Sequence, residues 1–209
     1  DRYTIREDAI PNDLSQEMVV FVVAPDASPT FRGEIDWGES NAQAYDVDWL
    51  GDGTIALLTD TPGAVEQVLR SVGESAADEQ AFHRARTLAG YPWFGIDLSD
   101  KNLPQEACRI AETISFTKGC YLGQETVARL DALGQVQKQL LLWQVEGAIP
   151  ESGAEVTSDD KVVGRLTSLA KIDESHAIAI GIGRRSHFEP GSTAQGDGFE
   201  ATVLSGDAG

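Results

Sequence analysis

Eight consecutive residues, Lys118-Gly119-Cys120-Tyr121-Leu122-Gly123-Gln124-Glu125, place a cation, a thiol, an aromatic ring, an amide and a carboxylate around two glycines. A core element has no use for that mixture. An ionised thiol is a nucleophile and a sulfur carrier. Lys118 two residues before Cys120, and a helix N-terminus beyond it, both favour the thiolate. The run Ile114-Ser115-Phe116 has strand character, and Glu125-Thr126-Val127-Ala128-Arg129-Leu130 suits a helix. A strand–turn–helix corner is therefore expected, with Gly119 and Gly123 at the bend allowing close backbone approach. Amides at such a corner also hold a small anion or a ligand carbonyl. The plain alternative for a lone Cys is a small buried hydrophobe. Gln124 and Glu125 read as residues that shape the corner. Arg129 either faces the pocket or pairs with Glu125 at i, i+4.

A second group of candidates lies upstream. Gly90 to Glu106 is a long irregular stretch rich in aromatics, and such stretches inside compact domains are commonly functional. Tyr91, Trp93 and Phe94 can wall a flat aromatic ligand, and Glu106 can accept two parallel N–H bonds from its amidine-like edge. Equally, the aromatics belong to a core and Glu106 caps a short helix. His83, within a predicted helix, reads as a surface or helix-packing residue rather than a ligand.

These residues need elements to hold them. Met18 to Val23 is an apolar run read as a buried strand, and Asp26 to Asn41 is turn-rich, with Pro29, Gly33 and Gly38. Tyr45, Val47 and Trp49 alternate with acids as a half-buried strand. A turn at Gly51-Asp52-Gly53 leads to a return strand over Thr54 to Thr59. Thr61 and Pro62 start a helix that buries Val65, Val68 and Leu69 and runs to about Val72. A polar linker, Gly73 to Ala77, precedes a helix over Asp78 to Ala89 carrying Phe82, Ala85 and Leu88, stopped at Gly90 and Pro92. From Val136 five short strands are expected: Leu140 to Val145, Ala154 to Val156, Val162 to Ser168, Ala177 to Ile182 and Phe199 to Leu204. Their spacing implies a small antiparallel barrel. Gly181-Ile182-Gly183 lacks a third glycine and follows barrel strands, so it is no dinucleotide fingerprint. Arg184, Arg185 and His187 form a small basic cluster, read as a solvated barrel edge in preference to a phosphate site.

Composition bounds the function. The 209 residues carry a net charge of −18, which repels nucleic-acid phosphate and argues against general DNA or RNA binding. No run approaches the length of a membrane span, and no signal peptide opens the chain. The two cysteines, Cys108 and Cys120, suggest neither a disulfide scaffold nor a self-contained Fe–S or zinc site.

The octapeptide resembles the signature K-G-C-[FY]-x-G-Q-E of the YgfZ family of folate-binding proteins, relatives of the T-protein (aminomethyltransferase) of glycine cleavage, and matches every fixed position. Arg86, Gly90, Pro92, Gly95, Asp97 and Leu98 fit the family's R-x-x-x-G-x-P-x-x-G-x-D-L stretch. Pro104 and Glu106 fit its P-x-E element, and Gly164 to Ser168 fit G-x-[LV]-T-S. The resemblance implies an α+β fold, with a T-protein-like folate-binding region followed by a C-terminal antiparallel β-barrel. The divisions expected are a mixed α/β subdomain over 1–76, a folate-site segment over 77–135 and the barrel over 136–209. It implies tetrahydrofolate, or a one-carbon-substituted folate, as cofactor. By residue, it makes Glu106 the pterin anchor, with Tyr121, Gly119, Gly123, Trp93 and Arg129 around the ligand. Cys120 is then the nucleophile or sulfur carrier, with Lys118 lowering its pKa or contacting an anionic ligand. Full-length relatives have further residues before the point matching Asp1, including the T-protein's catalytic Asp. Without them an exposed sheet edge or apolar patch is expected. The function implied is support of Fe–S protein assembly or repair, with linked tRNA modification, in the cytoplasm, alongside Fe–S assembly proteins or client enzymes. The alternatives are a folate-dependent aminomethyltransferase and a non-catalytic scaffold.

Overall fold

A computed structural model describes residues 12–26, 40–133 and 136–205. The turn-rich segment expected between Asp26 and Asn41 falls almost wholly outside them. The chain divides into two compact units, with the boundary between Ala77 and Asp78.

The first unit holds β1 (Val19–Val23), β2 (Gln43–Val47), β3 (Thr54–Thr59) and α1 (Pro62–Ser71). The three strands form an antiparallel sheet in the order β1-β3-β2. Pairing of Phe21 with Leu57 and Val23 with Ile55 sets these four side chains on one face. Val65 and Leu69 of α1 cover that face and complete a small core. The hairpin turn between β2 and β3 uses Gly51 and Gly53, both at positive φ. Thr61 precedes the helix as expected, but its hydroxyl bonds the Ser40 carbonyl and leaves the helix amides alone. β1 departs from expectation. Val19 and Val20 are 40% and 45% exposed, because an edge strand with one covered face buries only part of an apolar run. Tyr45 on β2 is also exposed rather than half-buried. Val20 and Tyr45 pair with Leu58 and Ala56 of β3, so both lie on the sheet face that α1 does not cover.

The second unit opens with α2 (Glu79–Leu88), followed by a 3₁₀ turn (Pro104–Ala107), α3 (Ile110–Thr113) and α4 (Gln124–Leu133). Asp78 caps α2 by accepting the Ala81 amide. At the other end Gly90 takes positive φ. Tyr91 N–H donates to the Arg86 carbonyl and Gly90 N–H to that of Thr87, which closes the helix in a Schellman motif. Of the apolar residues expected to pack, Phe82 and Ala85 are partly buried but Leu88 is exposed, whereas Arg86 and Thr87 are each 1% exposed. A polar network explains the burial of Arg86, which is bonded on every side, as described below.

β4 (Lys138–Gly147), β5 (Glu155–Ser158), β6 (Lys161–Lys171), β7 (His176–Arg184), β8 (Thr193–Gly196) and β9 (Phe199–Ser205) close into a barrel in the order β4-β7-β6-β5-β8-β9. The expected antiparallel barrel is present, with one strand more than the pattern showed. β8 reads Thr-Ala-Gln-Gly, too short and polar to register as a strand. Leu141, Trp143, Val145, Val156, Leu166 and Val203 fill the interior. Two cross-strand glycines make room for them. Gly164 lies opposite Gly183, and a Cβ on Gly183 would meet Leu141 Cδ1 at 2.2 Å and Trp143 at 3.1 Å. The Gly-x-Gly of β7 is thus a packing device. A turn through Asp159 and Asp160, both at positive φ, joins β5 to β6.

Candidate functional site

The corner around Cys120 is built differently from its expected form. No strand precedes it: α3 ends at Thr113, and Ile114 to Gly119 run as coil and bends. The exit helix α4 begins at Gln124, so Cys120 lies four residues before it and is exposed. A β-rich tripeptide without a pairing partner stays out of any sheet, whatever its local propensity.

What shapes the bend is Gly123, at φ +89°, together with Gln124, whose side-chain oxygen accepts the Tyr121 amide at 3.2 Å. Gln124 therefore holds the corner, as expected. The exposed Lys118 ammonium sits over the Tyr121 ring, 4.6 Å from its centroid, a cation–π contact. Gly119 has no positive φ, and a Cβ built on it meets nothing within 4 Å. Among the described residues, nothing requires a glycine there.

A cavity of about 330 Å3 opens beside this corner, lined by Lys118, Tyr121, Leu122, Gly123 and Thr126, and across from them by Ile114 and Pro104. Leu122 of this lining is 88% exposed. Arg129 is exposed on α4, outside this lining. Glu125 is exposed on the same helix.

The turn Pro104–Ala107 separates this cavity from a second one. Pro104 lines the first, and Gln105 Nε2 bonds the Val127 carbonyl of α4 at 3.0 Å. Glu106 lines the second, of about 430 Å3, with Gln137, Lys138, Arg184, Arg185 and Ser186. Glu106 is 5% exposed. Its Oε2 accepts the Leu103 amide at 3.2 Å and Asn102 Nδ2 at 3.1 Å, and lies 3.6 Å from Lys138 Nζ. The carboxylate closes its own turn, as its capping reading expected, and also lines a cavity. Glu106 and the octapeptide, expected around one pocket, lie on opposite sides of one turn.

The three aromatics do not form one wall. Trp93 stands edge-on to Phe82 at 5.1 Å and near His83 at 6.0 Å, against α2. The Arg109 guanidinium lies 4.7 Å over Tyr91, and Phe94 is 72% exposed. His83 is a packing residue, accepting from Arg86 Nε at 2.8 Å.

Sequence reasoning missed the role of the Arg86/Asp97 motif positions. Arg86 and Asp97 form a buried ion pair at 2.7 Å. Asp97 also accepts the hydroxyls of Thr167 and Ser168, each at 2.6 Å, and the Trp93 amide at 2.9 Å. Arg86 also donates to the Tyr91 carbonyl and to Ser168. The two sequence motifs meet here, so α2, the aromatic loop and β6 are tied by one satisfied network. The available signal was that the motif's Arg and Asp carry opposite charges, eleven residues apart across a glycine-rich turn.

No protein-family model matches the chain. It is 40% identical over 97 residues to the mitochondrial iron–sulfur cluster assembly factor IBA57 of Mus musculus, covering 43% of this chain and 27% of that protein. It is 34% identical over 105 residues to the tRNA-modifying protein YgfZ of Serratia proteamaculans, covering 48% of this chain and 32% of that protein. Among solved structures, the glycine cleavage system aminomethyltransferase T of Bartonella henselae matches with a TM-score of 0.71 at 14% identity, over 90% of this chain and 59% of that one. The chain thus spans about a third or less of those two curated relatives. The expected resemblance to YgfZ-type proteins is borne out by these similarities, and the chain shares the aminomethyltransferase fold.

Proposed function

We propose that this chain carries a reduced-folate site of YgfZ type and that Cys120 supports the assembly or repair of Fe–S proteins, with linked tRNA modification. The observation that carries the reading is Glu106, a buried carboxylate that lines a cavity while its bonds among the described residues fall on one oxygen, Oε2. A pterin presents a row of N–H donors to which such a carboxylate is complementary. The residues fit a pterin in kind, with the Glu106 carboxylate set against its N–H edge. When bound, the folate would supply nitrogens that carry one-carbon units. Cys120 is exposed and lines neither cavity. That setting suits thiol exchange or sulfur passing with a partner protein better than chemistry sealed from water.

The test is calorimetric titration of the chain with 5-formyltetrahydrofolate. Saturable binding is expected, weakened about tenfold or more in Glu106→Ala, since a buried charge-assisted pair is lost. Cys120→Ser should bind normally and yet fail to restore Fe–S enzyme activity in cells lacking the protein. Unchanged binding in Glu106→Ala would refute the pterin anchor. Full activity of Cys120→Ser would refute the thiol chemistry.

A further inference from the structure

The second cavity holds an arrangement that is unfavourable in the protein alone. Lys138 and Arg184 are direct cross-strand partners of β4 and β7, so their side chains leave the barrel on the same face. Like charges directly opposite one another destabilise a strand pair. Arg185 follows at once, its amide bonded to the Gln137 carbonyl at 3.0 Å, which adds a third cation to the same rim. In a chain with 16 basic against 34 acidic residues, converging three of the basic ones on one cavity is the opposite of dispersal. Glu106 offsets only part of this, since it lies 3.6 Å from Lys138 and is buried among its own turn's donors. Ser186 and Gln137 add a hydroxyl and an amide to the lining.

From this geometry we infer that the cavity at the start of β4 and the end of β7 is an anion site, taking a small ligand with two or more negative charges, carboxylate or phosphate. Guanidinium groups suit both, because their planar forks bind either oxyanion in bidentate fashion. A long polyanion is disfavoured, because the surface beyond the rim belongs to a molecule of net charge −18. Bound anion relieves the Lys138–Arg184 repulsion, which an apolar or neutral ligand cannot do. The inference stands on the cationic rim and holds whether or not the ligand is a folate.

The test uses the full 209-residue chain at low ionic strength. Pyrophosphate and a short oligoglutamate are titrated separately by calorimetry, which distinguishes a phosphate source from a carboxylate source. Saturable binding of at least one is expected, weakened about tenfold or more in the Arg184→Gln/Arg185→Gln double variant, with its melting curve checked against the parent. Glu106→Gln should tighten the same anion, because a repelling charge is removed, while weakening 5-formyltetrahydrofolate. These opposite signs separate the anion site from the pterin anchor. Binding that is equal in the double variant, or absent in the parent chain, would overturn the site. So would binding confined to single-stranded RNA.

Discussion

At the residue scale, the octapeptide divides into positions the fold explains and positions it does not. Gly123 is explained by φ +89°, Gln124 by its bond to the Tyr121 amide, and Lys118 by its seat over the Tyr121 ring. Gly119 and Cys120 are not, since the first has neither steric nor conformational need of being glycine and the second is an exposed thiol. Alanine substitution should separate the two classes. Gly123→Ala forces a side chain into the left-handed region and should cost about 1–2 kcal/mol in chemical denaturation. Gly119→Ala should leave stability within about 0.5 kcal/mol. If a ligand or partner backbone approaches at the corner, Gly119→Ala should nonetheless lower complementation of Fe–S enzyme activity. A large stability loss in Gly119→Ala would show that its role is architectural.

At the element scale, the buried network under the loop ties α2, the aromatic loop and β6 together. Arg86 and Asp97 are fully enclosed, and every oxygen of Asp97 has a donor. Removing one partner of such a pair strands the other as a buried charge, which costs about 3–5 kcal/mol. Asp97→Ala should therefore destabilise the second unit by that order in urea unfolding, although Asp97 lines neither cavity. A loss below about 1 kcal/mol would mean that the loop and β6 hold together without it. The same network shows where the sequence was legible. Strand and helix identities followed from period and capping, because β3, α1, α2 and most of the barrel obey them. The polar face of α2 did not follow, because an amphipathic reading assigns Leu88 inward and cannot see acceptors arriving from Asp97 and Ser168, 11 and 82 residues away from Arg86. The lead-in Ile114 to Phe116 failed for a related reason: strand propensity is realised only against a neighbour, and none of the described strands pairs there. For the site, residue types were legible from the octapeptide and Glu106, but their separation by the turn Pro104–Ala107 was not.

At the scale of the whole molecule, charge is the dominant feature. With 34 acidic and 16 basic residues, the net charge of −18 acts against the compact state through self-repulsion. Exposed ion pairs such as Arg70 with Glu66 and Lys171 with Glu174 contribute little against it. Salt should therefore stabilise the fold. Raising ionic strength from about 0.01 M to about 0.15 M shortens the Debye length from about 30 Å to about 8 Å. If about 1 kcal/mol of repulsion is screened, the melting temperature should rise by roughly 2–4 °C for a chain of this size. Thermal unfolding followed by circular dichroism across that salt range reads the effect directly. A falling melting temperature would mean that attractive pairs outweigh the repulsion. The basic rim at Lys138, Arg184 and Arg185 answers to the same screening with the opposite sign, because its attraction for an anion weakens as salt rises. Stability and pyrophosphate affinity should thus move in opposite directions along one salt titration. General polyelectrolyte behaviour of an acidic chain accounts for the first trend alone; only a local cationic site produces the second.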